Sequence, residues 1–182
     1  MRAGYGEERR AVMYNDFVIV GPATAPARAR GQGAAAAFRR MAATRAQFVS
    51  RGDDSGTHRK ELTLWNLAGV SPGGAAWYVD VGQGMGETLA AAAERNAYAL
   101  TDRATFLFMK QLGALEVLVE GDSALFNPYS VIVVRNSRNR AGARAFARWI
   151  TSPPAQQLIG NYGRAIFGRA LFTPNAVATE AR

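Results

Sequence analysis

The chain has 182 residues, of which 48% are hydrophobic and 20% charged, enough apolar material for one large domain or two smaller lobes with cores of their own. It contains no cysteine and one histidine, His58, which excludes disulfides, thiolate metal sites, multi-histidine metal centres and two-histidine chemistry. The net charge of +8 comes almost wholly from arginine, Lys60 and Lys110 being the only lysines; the arginines are scattered, without an aromatic-and-basic RNA-binding signature, so no nucleic-acid partner is expected.

No apolar run approaches the ~18 residues that span a membrane. Residues 1–6 lead into charges, so no signal peptide is visible in this chain.

In chain order, residues 16–20 (DFVIV) read as a short buried strand stopped by Gly21-Pro22. Residues 23–33 read as a loop and 34–45 as a helix. Residues 47–50 form a strand, and 55–68 a helix with His58, Leu62 and Trp65 on one face. A strand at 77–81 runs into the glycine loop 82–86, followed by a helix at 87–95. A strand at 98–101, a helix at 102–112 and a strand at 115–119 come next, then a turn region at 120–128 and a strand at 129–134. A helix at 141–151 carries Phe146, Trp149 and Ile150 on its apolar stripe. Pro153-Pro154 opens another helix, where proline is tolerated in the first turn. Residues 165–173 read as an irregular or strand-like tail. Strand and helix alternate, so the fold class is α/β with mainly parallel pairing.

In such sheets ligands sit at the carboxyl ends of strands, beside the helix starts that follow. Three loops occupy that kind of place: residues 50–57, 82–86 and 101–103. The first is the most informative. Phe48-Val49-Ser50 ends in the turn Arg51-Gly52-Asp53-Asp54, and a helix then starts at Asp54 or Ser55. A helix start carries open N–H groups and the positive end of the dipole, which suits an anion. Arg51 adds a planar fork of donors, Ser55 and Thr57 add hydroxyls, and Gly56 lets backbone approach a ligand. The same residues also fit an ordinary N-capped helix with Arg51 paired to Asp53 or Asp54.

Gly82-x-Gly84-x-Gly86 is neither the dinucleotide fingerprint nor a P-loop, and taken alone it fits a tight turn or an anion nest. Thr101 or Asp102 is placed to N-cap the next helix. His58 has no evident catalytic partner, and the side chains of neighbouring Asp53 and Asp54 diverge in a turn. The chain offers donors for an anion but no activated nucleophile or metal set, so it reads as a binding protein and not an enzyme.

Nine blocks together resemble a known family: MYNDFVIVGP (13–22), FVSRGDDSGTH (48–58), ELTLW (61–65), WYVDVGQGMGETL (77–89), YALTDRATF (98–106), LEVLVEG (115–121), LFNPYSVIVV (125–134), AFARWITSP (145–153) and LFTPNA (171–176). In this order they resemble the tungstate-binding proteins of tungstate ABC transporters, over nearly the whole chain. Arg51, Asp53, Ser55, Gly56 and Thr57 also resemble, more distantly, the phosphate grip of phosphate-binding transporter proteins.

The resemblance implies a type II periplasmic-binding-protein-like α/β fold, with one complete lobe plus part of the second and the oxyanion held between lobes. It implies that Arg51 pairs with the anion, that Ser50, Ser55, Gly56 and Thr57 line its pocket, and that Met85 and Gly86 offer backbone. Asp53 is expected to orient Arg51 from behind. Residues 1–22 are expected to be a hinge strand and remnant of lobe one, 23–122 lobe two, and 123–182 the return strand and C-terminal half of lobe one. The ligand is tungstate or a similar tetrahedral oxyanion, with no cofactor and no protein-coordinated metal. The partner is an ABC transporter permease, and the location is periplasmic or extracellular and membrane-anchored.

Family members begin with a secretion signal and a Thr/Ser-rich part of lobe one, so a truncated chain is expected here, with self-association through the incomplete lobe. Other departures are Pro154-Ala155, where the family usually has Glu-Gly, and a shortened segment at 136–141. A cytoplasmic oxyanion-sensing regulatory domain and a phosphate- or molybdate-binding protein remain the alternatives.

Overall fold

The computed structural model describes residues 4–109 and 114–176. Two compact units divide the chain: Asp16–Phe126 is one, and the segments Met1–Asn15 and Asn127–Arg182 make the other.

In the Asp16–Phe126 unit, the second half of β1 (Gly6–Pro22) is the central strand. It pairs antiparallel with β4 (Ala99–Asp102), from Phe17 opposite Asp102 to Val20 opposite Ala99, and on its other side with β5 (Leu115–Val119). β2 (Phe48–Ser50) and β3 (Tyr78–Asp80) pair parallel, with Ser50 opposite Asp80. A parallel bridge from Phe48 to Tyr98 joins β2 to the edge of β4. The expected mainly parallel pairing therefore holds for β3, β2 and β4, and is overturned around β1. A strand buried on both faces carries the same apolar run whichever way its neighbour points, so the pattern could not fix direction.

Alternate residues of β1 feed two cores. Phe17 and Ile19 face α1 (Ala34–Ala43) and α2 (Gly56–Leu67) through Phe38, Met41, Leu64 and Trp65. Val18 and Val20 face α3 (Met85–Glu94) and α4 (Arg103–Met109) through Met85, Leu89 and Phe106. Of the helix expected at 102–112, Arg103–Met109 is α4, and residues 110–112 lie outside the described ones. Arg103 ties β1 to the residue after β5: its Nε donates to Asp16 Oδ1 at 2.8 Å, and it pairs with Glu120 at 2.7 Å. Asp102, not Thr101, caps α4, accepting from the Thr105 N–H at 3.0 Å.

Two helix faces differ from expectation. On α2 the inward residues are Glu61, Leu64 and Trp65, while Leu62 is 44% exposed. The inward face is thus centred one residue earlier, on a glutamate that counts as polar in any apolar pattern.

In the other unit, the first half of β1 pairs with β6 (Phe126–Val134) and β7 (Thr173–Pro174). β1 thus starts ten residues earlier than residue 16, through a charged stretch in which Glu7 pairs with Arg140 and Arg144. α5 (Arg140–Ile150) turns Ala147 inward, and Phe146 and Trp149 are 54% and 50% exposed, contrary to the expected buried stripe. α6 (Pro153–Asn161) starts at the proline pair as expected. The tail is not wholly irregular, because Arg164–Phe167 forms a short helix, α7. Among the described residues no helix is long and apolar enough to cross a membrane.

Candidate oxyanion-binding site

The parallel trio brings the carboxyl ends of β2, β3 and β4 to one side, so the loops at 50–57 and 82–86 lie next to each other. The Val81 N–H donates to the Ser50 carbonyl at 3.1 Å, and Arg51 Nε donates to the Gln83 carbonyl at 3.3 Å. The close approach depends on Gly52. Its φ is +63°, and a Cβ there would lie 2.9 Å from the Asp80 Cβ, so any side chain meets both strain and a clash.

Arg51 Nε is 2.9 Å from Asp53 Oδ2. Its contacts with Asp53 and the Gln83 carbonyl are both made through Nε, and neither uses a terminal nitrogen of the fork. The Ser55 hydroxyl, the Ser55 N–H and the Arg51 charge hold Asp53 below the usual carboxylate range. Asp54 instead pairs with Arg59 at 2.7 Å, so the two neighbouring carboxylates do diverge.

Ser55 is the N-cap of α2, with φ −67° and ψ 171°, and its Oγ accepts from the His58 N–H at 3.3 Å. That bond leaves the Gly56 and Thr57 N–H groups at the helix start, beyond the reach of any intrahelical carbonyl. Gly56 is exposed and Thr57 half-buried. α3 starts at Met85 and not at Glu87, so Met85 and Gly86 belong to its first turn; Gly84 caps it without a side chain. Met85 is buried in the core and Gly86 half-buried. Glu87 folds back, its carboxylate 2.7 Å from where a Cβ on Gly84 would stand, so the start of α3 already faces an internal carboxylate.

His58 Nδ1 accepts from the Asp54 N–H at 3.0 Å, across a residue whose φ is +58°. The ring braces the turn, and Leu62 is exposed. His58→Gln should lower unfolding free energy by about 0.5–1.5 kcal/mol, one neutral hydrogen bond, and move anion affinity less than about twofold. Paired denaturant titration and calorimetry would show it; a large affinity loss at unchanged stability would make His58 a ligand instead.

Sequence reasoning missed the group beneath the loop. Ser50 is fully buried, and its Oγ accepts from the Gly52 N–H at 3.2 Å. Next to it lies Glu61, 1% exposed, whose Oε1 accepts from Tyr78 Oη at 2.7 Å and Trp65 Nε1 at 3.1 Å. Burial pushes Glu61 up to about 7, against the hydrogen bonds from Tyr78, Ser50 and Trp65, with nearby Asp80 adding to the rise. Burial and the Glu61 charge raise Tyr78, keeping its hydroxyl protonated. The one available signal was Glu61-x-x-x-Trp65, a carboxylate one helical turn from an indole donor.

A raised carboxyl keeps its proton in the folded chain over a range where the unfolded chain has lost it. Its contribution is full below about pH 4.5, its unfolded value, and is lost as pH rises through about 7. Wild type should therefore lose on the order of 2 kcal/mol across that window relative to Glu61→Gln, read from urea midpoints. Equal slopes for the two proteins would show that Glu61 titrates normally.

A model of the PBP superfamily domain matches residues 2–154. The chain is 47% identical over 181 residues to the tungstate-binding protein TupA of Peptoclostridium acidaminophilum, covering 96% of this chain and 63% of that protein. Among solved structures it is similar to the tungstate-binding protein TupA of Desulfovibrio alaskensis G20, at 46% identity and TM-score 0.82, covering 97% of this chain and 73% of that one. It is also similar to the tungstate ABC transporter protein of Geobacter sulfurreducens, at 44% identity and TM-score 0.77, covering 88% and 70%. The chain thus spans a little under two thirds of the P. acidaminophilum protein. With this family match and with identities of this size over nearly its whole length, the chain belongs to the PBP superfamily and, within it, to the family of TupA tungstate-binding proteins, which are binding proteins and not enzymes.

Proposed function

We propose that the chain captures tungstate as the substrate-binding component of an ABC transporter, without transforming it. The observation that carries this reading is the turn at the start of α2, where Arg51, held by Asp53 and the Gln83 carbonyl, leads into a helix start whose Gly56 and Thr57 N–H groups have no intrahelical carbonyl to reach. Tungstate carries no proton near neutral pH, so it asks for donors only. A donor set of this kind suits it better than hydrogen phosphate, which needs an acceptor for its proton. The two carboxylates of the turn are already committed, Asp53 to Arg51 and Ser55 and Asp54 to Arg59.

Arg51, Thr57 and Gly56 are the direct ligands in this reading. Met85 and Gly86 add the field of a second helix start, weakened by Glu87. Asp53 and Ser55 hold Arg51 and the helix start in place, and Ser50 supports the loop from within. The Asp16–Phe126 unit acts as the oxyanion lobe, and residues 1–15 and 127–182 belong to the other. The protein works outside the cytoplasmic membrane, periplasmic or extracellular and anchored, and delivers its ligand to a permease. Apolar residues exposed in the other unit, Ile132, Val134, Phe146 and Trp149, favour self-association of the isolated chain.

Calorimetric titration with tungstate, molybdate, sulfate and phosphate tests the reading. Tungstate should bind saturably and more tightly than phosphate. Phosphate binding in preference to tungstate would overturn it in favour of a phosphate carrier. Sedimentation in the same buffers should show a dimer or larger species; a monomer across the micromolar range would remove self-association.

A further inference from the structure

We propose that Glu61 is a positioning residue of the oxyanion site: ionised, it holds the Ser50 hydroxyl inward, and protonated, it releases that hydroxyl, so that anion and proton bind together. The inference rests on the reading of the 50–57 loop as the oxyanion site.

The geometry leaves little freedom. Glu61 and Ser50 are both buried, one on the first turns of α2 and the other at the end of β2, directly beneath Arg51 and Gly52. Tyr78 and Trp65 both donate to Glu61 Oε1, and the Ser50 hydroxyl interacts with the Glu61 carboxyl and with the Tyr78 hydroxyl in the same cluster. The Ser50 Oγ already accepts from the Gly52 N–H at 3.2 Å. When Glu61 is ionised, the Ser50 proton therefore goes to the carboxylate, and none remains for a ligand. When Glu61 is protonated, its own O–H donates to Ser50 Oγ, and the Ser50 hydroxyl hydrogen is released from the carboxylate, to the Tyr78 oxygen or toward the loop. Protonation also removes one negative charge from behind the anion.

The surrounding groups set the sign. β3 presents Tyr78 and Asp80, β2 presents Ser50, and α2 itself presents Trp65. α1 approaches this side through Phe38, whose ring centroid lies 4.3 Å from that of Trp65. None of these groups is a cation; Arg51, on the loop above, is paired with Asp53, and Asp80 opposes ionisation of Glu61 as burial does. A dianion at the loop adds a further like charge. It should therefore draw a proton onto Glu61, and affinity should rise as pH falls through about 7. The range is one a cell surface meets, so the site would hold its ligand more tightly in mildly acidic surroundings.

The experiment is tungstate titration of the whole chain by calorimetry at about pH 6 and about pH 8.5, in two buffers of different ionisation heat. Wild type should bind roughly fivefold more tightly at the lower pH and take up part of a proton near neutrality. Glu61→Gln should lose the uptake and most of the pH dependence; tungstate's own protonation would persist in the variant and is thereby separated. Carboxyl-carbon NMR of the wild type gives a reading that needs no variant: the Glu61 titration should move up when tungstate is bound. Wild-type binding with no proton uptake and an unmoved Glu61 titration would overturn this inference while leaving tungstate capture intact. No tungstate binding at either pH would overturn both.

Discussion

Trp65→Ala should cost the Asp16–Phe126 unit about 3–5 kcal/mol of stability, the range for emptying a large buried aromatic site. Trp65 is 1% exposed and is the hub of an aromatic cluster, with ring centroids of Phe38 at 4.3 Å, Phe48 at 5.2 Å, Trp77 at 5.6 Å and Tyr78 at 6.1 Å. These rings come from α1, β2, α2 and β3 and the residue before it, so the cavity would open where four elements meet. Interiors are close-packed and collapse only partly around such a void. The substitution also removes the indole donor to Glu61, at 3.1 Å, leaving a buried carboxyl with one partner fewer. Urea unfolding followed by far-UV circular dichroism gives the measurement. Trp77→Phe, at the margin of the cluster, should cost much less. A loss below about 1 kcal/mol for Trp65→Ala would mean that the cluster is not the keystone of this core.

How much of this was legible before the structure depends on the range of the interaction concerned. The DFVIV strand and the helix start at Asp54 or Ser55 could be read because each depends on a few consecutive residues: a run of β-branched side chains, and polar capping residues ahead of the helix. The SRGD turn was legible for the same reason, down to the expected neighbourhood of Arg51 and Asp53. Pairing direction around β1 was not legible, since it is decided by where distant strands land. Glu61 was missed because a charged residue in an amphipathic helix is ordinarily solvated. Its burial depends on Tyr78 and Ser50, brought to it by the β2–β3 pairing. Phe146 and Trp149 show the opposite error. Their spacing reads as a core stripe, yet in this chain α5 turns them to the surface and buries only Ala147.

Arg51→Ala should weaken tungstate binding by at least about thirtyfold, the lower end of what losing one partner of a desolvated charge pair costs. Two effects add. The anion loses a planar pair of donors that matches two of its oxygens. Asp53, now 2.9 Å from nothing, keeps its place through the Ser55 N–H at 3.1 Å and turns from a support of the arginine into a negative charge beside a dianion. Asp53→Asn added to Arg51→Ala should therefore recover part of the loss, by removing the repulsion without restoring the fork. Arg51→Lys keeps the charge and gives up the paired geometry, so it should fall between wild type and Arg51→Ala. Calorimetry on the four proteins, each checked for an unchanged melting temperature, orders them. If Arg51→Ala binds as tightly as the wild type, the fork is not the anion's partner, and the ordinary capped-helix reading of this turn, with Arg51 serving only Asp53, is the correct one.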